Sequence, residues 1–484
     1  MRNGTSLETV LLVCRAYPPF TGASESPGAR WVASVQPSGR RIEIIAPSDG
    51  EEEFTHLDAG RNLVHRIHPG RSYALAWLRA LSPAAAAAVP DELQFLMRAA
   101  EKAFERARLW NRAILWTETA IGHIALLAPG IGAALWPMLA SQPHGSESVG
   151  PVRSVEIVIC TFGRLEELLV SIDSVLAEIG AAPVPTLARV IYQDADLLER
   201  LRRLRPDLEN RADLAFELSS PPSLTGARNR ALAGSSADLV VFVDDDVKLR
   251  TGFLVAYLDA AQRCPDAIGF AGRIQSPSEW EVGRARAIGQ IRATGHVDVN
   301  YNSVNRDATY VALTPMGANM AFRRQRMNRL FGKSWFDENL TGSAIREEST
   351  LALEVNRAGE YLVFVPDAAL EHFEARRGGC GNREQRSVPE RVRHRVLETL
   401  FLARLYRGAG LLHGVSAARA AIQEIARSEG VADKLKAAGI HLAGYVGARR
   451  RYRAGVDHKS RVLELVPKLD LGSLKTPHHR RASP

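Results

Sequence analysis

The chain has 484 residues, of which 46% are hydrophobic and 24% are charged, and its formal net charge is +8. This length exceeds one ordinary hydrophobic core, so we expect roughly two to four domains. The apolar fraction is typical of a globular protein and excludes a chain that is disordered throughout.

The first 140 residues alternate between strand and helix patterns. Short buried strands are predicted in 9–19, 40–49 and 112–118, and an amphipathic helix is predicted in 91–110. This alternation is typical of a parallel-sheet α/β domain, and we predict a Rossmann-like domain over 1–140. It has no GxGxxG pattern, which argues against dinucleotide binding.

The segment 120–140 carries no formal charge over nearly the length of a membrane span. Prolines and glycines interrupt it, so buried elements of the α/β domain explain it more simply than a transmembrane helix. The amino terminus ends its apolar stretch in Tyr-Pro-Pro and resembles a first strand rather than a signal peptide.

A stretch rich in Ser, Gly and Pro, 141–154, is predicted to be a linker between two domains. Strand and helix patterns then alternate again, and we predict a second α/β domain over 155–390. From 391 to 484 the pattern becomes helical and ends in a basic tail.

The positive charge is concentrated in that tail. From His441 to Pro484 there are ten Lys or Arg against three Asp or Glu, so the rest of the chain is nearly neutral. No nucleic-acid recognition module accompanies the charge, and we expect no nucleic-acid partner. A solvated end is one explanation. Peripheral contact with anionic lipid, helped by the preceding amphipathic helices, is the other.

Four cysteines, Cys14, Cys160, Cys264 and Cys380, are scattered without metal-binding spacing. Two of them fall in apolar strand patterns, which favours reduced thiols and a cytoplasmic protein.

Three predicted strands of the second domain end in polar residues. Thr161 and Arg164 follow the first, Asp194 and Asp196 the second, and Asp244, Asp245 and Asp246 the third. Because ligands of parallel α/β sheets bind beyond the carboxyl ends of the strands, these residues are predicted to outline one crevice.

The aspartate run has two explanations. Adjacent carboxylates suit Mg²⁺ or Mn²⁺, and such an ion would remove their mutual repulsion. A solvated turn in which the aspartates cap backbone amides is the alternative. The triplet alone does not decide between them.

A resemblance to a known family bears on that choice. The segments VEIVICTFGR, VIYQDAD, TGARNRAL, VVFVDDDV, PMGANMAFRR and AIREESTLALEVNRAGE, spread over about 152–390, resemble in order the motifs of family 2 glycosyltransferases with the GT-A fold. The resemblance implies transfer of a sugar from a nucleotide-sugar donor to an acceptor hydroxyl with inversion at the anomeric carbon.

The resemblance also implies roles for individual residues. Those implied to bind the donor nucleotide are Thr161, Arg164, Asp194, Asp196, Arg228, Asp244 and Asp245. Those implied to hold Mn²⁺ or Mg²⁺ are Asp244, Asp246 and His372, and those implied to line the sugar and acceptor site are Gly317, Ala318 and Asn319. Taken alone, His372 is equally well a structural residue, and Gly317 a turn residue.

The catalytic base implied by the family is an Asp in a Glu-Asp pair at the start of a helix. This chain has Glu347 and Glu348 there, and spacing to a following glycine gives Glu348 the role of base. The alternative is that both are solvated residues favoured in a first turn by the helix dipole.

The first domain resembles, more weakly, the amino-terminal half of GT-B glycosyltransferases in the segments 11–35, 40–47 and 113–118. No second GT-B half follows. An acceptor-recognition or docking role is therefore implied.

Together these expectations describe a metal-dependent inverting glycosyltransferase of the α/β class, cytoplasmic or peripheral at the inner face of the plasma membrane. Its implied acceptor is a saccharide or lipid-linked saccharide of cell-surface polysaccharide or glycolipid synthesis. A nucleotidyltransferase acting on a sugar phosphate and a non-catalytic glycan-binding scaffold with the same fold are the rivals.

Overall fold

The computed structural model describes residues 150–453 with gaps at 277–282, 292–294, 341–343, 359, 374, 376–387, 406–409 and 429. Before residue 150 it describes 9–14, 41–48, 52–58, 62–68, 82, 86–102 without 92, 96 and 100, and 113–118. The predictions for 120–140, for 141–149 of the linker and for the tail beyond 453 lie outside these residues.

Strands supply most of the elements that the structure describes. In chain order they are β1 (Thr9–Cys14), β2 (Arg41–Pro47), β3 (Phe54–Leu57), β4 (Leu63–Ile67), β5 (Ala113–Glu118), β6 (Val155–Thr161), β7 (Thr186–Tyr192), β8 (Leu214–Leu218), β9 (Leu239–Val243), β10 (Val247–Leu249), β11 (Gly269–Gln275), β12 (Gln290–Ile291), β13 (Val297–Asp298), β14 (Thr309–Ala312), β15 (Asn319–Arg323) and β16 (Leu362–His372).

The helices bounded in the described residues begin after β6. They are α1 (Leu165–Gly180), α2 (Ala195–Leu204), α3 (Leu224–Gly234), α4 (Phe253–Arg263), α5 (Arg324–Phe331), α6 (Glu347–Arg357), α7 (Val388–Leu405), α8 (Gly410–Arg427) and α9 (Gly430–Arg453).

Burial explains why particular segments take these forms. β9, LVVFV, is apolar at every position, has three β-branched valines and is buried along its whole length, as expected of a strand covered on both faces. α1 instead buries Leu165, Leu168, Ile172 and Val175, which recur at helical spacing on one side.

One mixed sheet runs through the described chain in the order β5-β1-β2-β4-β3-β14-β16-β11-β15-β9-β6-β7-β8, and β10 pairs with β16 off this path. β5, β1, β2 and β4 are mutually parallel, as are β9, β6, β7 and β8. The predicted α/β class is therefore confirmed.

The amino-terminal strands join the later ones through a single antiparallel ladder. Thr309 and Tyr310 of β14 pair with Leu57 and His56 of β3. Beside that ladder the Thr55 hydroxyl donates to Gln290 Oε1 at 3.2 Å, with both side chains buried. Thus the sheet is continuous from β5 to β8.

The carboxyl-terminal helices pack on the loop that precedes α6. Leu340 and Ala344 form an apolar cluster with Val396, Leu397, Leu400 and Ala448 of α7 and α9. Arg404 of α7 also makes a buried ion pair with Asp337, with the two atoms 2.5 Å apart. The predicted helical extension is confirmed up to residue 453, and it braces the segment that leads into α6.

Among the helices within the described ranges, none is both long and apolar enough to cross a membrane.

Candidate active site

Three neighbouring parallel strands bring their polar ends to one edge of the sheet. β6 lies between β9 and β7, with Ile159 opposite Val243 and Thr161 opposite Tyr192. The residues that follow β9, β6 and β7 therefore lie side by side at this edge. This is the arrangement expected from the alternation of strands and helices in the sequence.

β16 brings a histidine to the same edge. His372, its last residue, pairs with Val247 just after the aspartate run. His372 Nε2 lies 3.0 Å from Asp246 Oδ1 and 3.8 Å from Asp244 Oδ2. One ligand atom of each of these three residues lies within 4.8 Å of the others. Two carboxylate oxygens and an imidazole nitrogen at this separation fit a divalent ion such as Mn²⁺ or Mg²⁺.

Asp246 is held as a carboxylate. Its side chain is 3% exposed, Arg164 Nη1 lies 3.1 Å from Oδ2, and the backbone N–H of Ala375 donates to Oδ2 at 3.0 Å. Burial alone would raise the pKa of Asp246, but His372, Ala375 and Arg164 together lower it to about 2. Asp246 is therefore ionised at neutral pH and presents charge to the crevice.

Asp245 is not among the residues that cluster with His372, and it shares Arg164 with Asp246. Arg164 Nη1 donates to its Oδ1 at 2.8 Å, and burial raises the pKa of Asp245 to about 6 against the lowering effect of Arg164. Asp244 and Asp246 are thus the members of the run that the structure brings to His372, while Asp245 holds Arg164.

A serine on α1 fixes the turn that carries the run. Ser171 Oγ accepts from the backbone N–H of Val247 at 3.0 Å and lies 2.9 Å from the carbonyl oxygen of Asp245. Ser171 is fully buried. The only sequence signal for it was a hydroxyl on the apolar side of an amphipathic helix, and our sequence analysis missed it.

Arg228 connects the aspartates to α6. It is 2% exposed, forms an ion pair with Glu347, and its Nη2 lies 3.6 Å from Asp244 Oδ1. Phe242 and Phe336 lie under the guanidinium at 5.8 and 5.4 Å from their ring centroids. The resemblance implied that Arg228 binds the nucleotide, whereas its described contacts are with these protein groups.

The two glutamates of α6 lie in different surroundings. Glu347 is buried against Arg228, and Glu348 is partly exposed with Oε1 3.2 Å from the Ser349 hydroxyl. Burial raises the pKa of Glu348, although Arg346 and Arg228 act in the opposite direction. Of the pair, only Glu348 combines partial exposure with a raised pKa, as a general base requires.

The approach to α6 is a tight bend. Ala344 and Arg346 have φ values of 45° and 67°, a left-handed conformation that non-glycine residues seldom adopt. Such conformations concentrate at functional sites, where the surrounding packing maintains them. Here the bend leads directly into the first turn of α6, where Glu347 pairs with Arg228.

Gly317 comes close to the ion pair of Arg228 and Glu347. Its carbonyl oxygen accepts from Arg228 Nη2 at 3.0 Å, and a Cβ atom at this position would lie 3.1 Å from Arg228 Nη2 and 3.3 Å from Glu347 Oε1. The close approach gives a reason for glycine here. Ala318, the next residue, is buried.

Asn319 lies beneath the site, in the sheet. Its Oδ1 accepts from the Tyr257 hydroxyl at 2.6 Å, and its amide donates to the carbonyl oxygens of Arg273 and Ala368 at 3.0 Å each. The side chain is fully buried. Asn319 therefore ties the strands that form the floor, and its amide is fully used within the protein.

The remaining predicted residues lie along the same edge but outside the cluster of Asp244, Asp246 and His372. Thr161 is buried at the end of β6. Asp194 caps α2 by accepting from the backbone N–H of Asp196 at 3.2 Å, and Asp196 is exposed in the first turn. Both carboxylates thus lie at the start of α2, just after β7.

No protein-family model and no curated protein sequence matches the chain. Among solved structures it is similar to the mannosyltransferase PcManGT from Pyrobaculum calidifontis in complex with GDP-Man and Mn²⁺, at 18% identity over 71% of this chain and 96% of that chain, with a TM-score of 0.36.

The chain is also similar to two further solved structures. GalNAc-T7 with UDP, GalNAc and Mn²⁺ is 13% identical over 64% of this chain and 58% of that chain, with a TM-score of 0.39. TarS 1–349 from S. aureus is 12% identical over 62% and 92% of the two chains, with a TM-score of 0.37. Because these identities and TM-scores are low, the roles proposed for individual residues rest on the contacts within this chain.

Proposed function

We propose that this protein is an inverting, metal-dependent glycosyltransferase that moves a sugar from a nucleotide-sugar donor to an acceptor hydroxyl. One observation carries the proposal: Arg228 joins the cluster of Asp244, Asp246 and His372 to the start of α6, where Glu348 carries a raised pKa. A cation site and a base that one arginine connects suit a reaction with a charged leaving group and a hydroxyl nucleophile.

Asp244, Asp246 and His372 would hold the ion. A bound divalent cation supplies Lewis-acid stabilisation of the charge that develops on a departing diphosphate. The protein keeps Asp246 ionised through His372, Arg164 and the backbone of Ala375, so a ligand set of suitable charge exists before the donor arrives.

Glu348 would receive the proton. The acceptor oxygen forms a bond to the anomeric carbon as the bond from that carbon to the diphosphate oxygen breaks, and the electron pair leaves with the nucleoside diphosphate. The hydroxyl proton passes to the Glu348 carboxylate. Glu347 is engaged by Arg228 and would hold the first turn of α6 in place.

Substrate and location remain part of the proposal. We assign the acceptor to saccharides or lipid-linked saccharides of cell-surface glycan synthesis, and the protein to the cytoplasm or the inner face of the plasma membrane. Free thiols at Cys160 and Cys264 support a reducing compartment. The domain limits 1–140, 155–390 and 391–484 and an acceptor-docking role for the first domain are proposed with them.

A product assay tests the proposal. Purified protein is incubated with Mn²⁺, a panel of nucleotide sugars and saccharide or lipid-linked saccharide acceptors, and the released nucleotide and the anomeric configuration of the product are determined. A parallel incubation contains nucleoside triphosphates and sugar phosphates instead. Release of nucleoside diphosphate with inversion is expected. Release of pyrophosphate from a nucleoside triphosphate would instead identify a nucleotidyltransferase, and retention at the anomeric carbon would exclude Glu348 as the base of a single displacement.

A further inference from the structure

A groove lies among α7, α8 and α9 and reaches Arg346, just before α6. Its volume is about 740 Å³, and residues of α7, α8 and α9 line it together with Gly295, His296 and Arg346. Cavities of this size hold small-molecule ligands or a part of a larger one. The proposed reaction so far gives this groove no role.

The lining combines positive charge with apolar surface. Among the described residues its basic side chains are Arg346, Arg395, Arg419 and Arg427 with His296 and His441, and its acidic side chain is Glu398. Its large apolar side chains are Phe401, Leu402, Ile425 and Leu442. Leu442 is 66% exposed and stands at the rim.

Among the described residues, part of that positive charge has no acidic partner. Within the described residues, Arg419 and Arg427 take part in no ion pair, whereas Arg395 pairs with Glu398 and Glu424. The Nε–H of Arg395 is nevertheless buried without a hydrogen-bond acceptor. A buried donor in that state calls for an acceptor from outside the protein.

Arg346 links the groove to the proposed base. It stacks over the ring of Phe401 in the groove at 5.5 Å, and its charge lowers the pKa of both Glu398 and Glu348. In sequence only Glu347 separates it from Glu348. A molecule lying in the groove therefore has one end close to the site where an acceptor hydroxyl would react.

We propose that this groove binds the acceptor through an anionic group attached to an apolar body, as in the alkyl or prenyl phosphate part of a lipid-linked saccharide, whose saccharide supplies the reacting hydroxyl. The arginine side chains of the groove would donate hydrogen bonds to the phosphate oxygens, since guanidinium groups match phosphate in geometry and charge. Phe401, Leu402, Ile425 and Leu442 would cover the apolar part. The acceptor role rests on the proposed glycosyl transfer, whereas binding of such an amphiphile does not.

The test measures binding by the full-length protein of decyl phosphate below its micellar concentration, without metal or nucleotide. Inorganic phosphate and decyl maltoside serve as comparison ligands that carry only the anion or only the alkyl chain. Decyl phosphate is expected to bind at least about tenfold more tightly than either, because both the basic and the apolar side chains of the groove contact it.

The double substitution Arg419→Gln/Arg427→Gln is expected to weaken that binding at least about tenfold. Arg200→Gln/Arg263→Gln is a matched control, because both arginines are exposed and take part in no ion pair in the described structure. Like Arg419, Arg200 lies in the middle of a helix, and like Arg427, Arg263 lies in a last helical turn. Leu442→Ser is expected to reduce the advantage of decyl phosphate over inorganic phosphate.

Equal binding of decyl phosphate and inorganic phosphate would overturn the proposal, as would equal binding of decyl maltoside. So would unchanged affinity in the Arg419→Gln/Arg427→Gln variant. Nucleoside diphosphate binding in the presence of Mn²⁺ is measured in parallel and should be the same in this variant as in the wild type. Evidence against ligand binding in the groove can therefore be distinguished from evidence against the proposed donor site.

Discussion

Arg228 and Glu347 form a buried ion pair at the first turn of α6, and both side chains are at most 3% exposed. The pair joins a helix start to the edge of the sheet at which the aspartates end β9. Removing one partner leaves an uncompensated charge in a site shielded from water, which is costly.

Arg228→Met should therefore lower the free energy of unfolding by about 3–5 kcal/mol, measured by urea denaturation. The double variant Arg228→Met/Glu347→Leu should recover much of that loss, because no buried charge is left without a partner. Glycosyl transfer should remain impaired in both variants. Equal stability of Arg228→Met and the wild type would contradict the structural role.

Glu348→Gln should reduce kcat by about 10²–10⁴-fold, the range associated with a general base. In the wild type, kcat/KM should fall as the pH drops through the raised pKa of Glu348, because the protonated carboxyl cannot accept the acceptor proton. Glu348→Asp keeps the carboxylate and should keep part of the rate. A Glu348→Gln variant with wild-type kcat and pH profile would exclude Glu348 as the base.

Gly317→Ala tests the close approach to the ion pair. The added Cβ would lie 3.1 Å from Arg228 Nη2 and 3.3 Å from Glu347 Oε1, so the pair must shift by a few tenths of an ångström. We expect a stability loss of about 1 kcal/mol and a reduced rate. Gly180→Ala, where a Cβ meets nothing within 4 Å, should leave both nearly unchanged. Equal effects of the two substitutions on stability and rate would contradict the close approach of Gly317 to the ion pair.

Glu398 should make the helical extension sensitive to acid. Burial alone would raise the pKa of Glu398, but His394 and Arg395 outweigh it and lower the pKa to about 2. A depressed folded-state pKa stabilises the protein above the ordinary carboxyl range, and this contribution is lost as the pH falls from about 4.5 toward 2.

The difference in unfolding free energy between wild type and Glu398→Gln should therefore shrink as the pH is lowered from 6 toward 3. Urea denaturation at a series of pH values measures it. A difference that stays constant or grows on acidification would contradict the assignment.

The sequence predicted the crevice because its cause is local. Apolar runs ending in Thr161, Asp194 and Asp244 are neighbouring parallel strands, and parallel neighbours present their carboxyl ends at one edge. His372 could be matched through the family motif, and the β10–β16 ladder brings it beside Asp246.

Other relationships depend on tertiary packing and could not be predicted from the residues alone. Arg228 was expected at the nucleotide, but its partner Glu347 is brought to it by the left-handed bend at Ala344 and Arg346. Asn319 stands two residues after the glycine of its motif, yet it is paired within the sheet and its amide donates to the carbonyl oxygens of Arg273 and Ala368. The groove requires three helices that are distant from α6 in sequence.

Binding of a nucleoside diphosphate, measured by titration calorimetry with and without Mn²⁺, tests the central claim most directly. The wild type should bind UDP or GDP in the presence of Mn²⁺ and much more weakly without it. Asp246→Asn should lose this dependence on the metal, while Asp259→Asn, at an exposed and unpaired aspartate of the described structure, should retain it. Binding that is equal with and without Mn²⁺, or an Asp246→Asn variant that behaves like the wild type, would contradict the account.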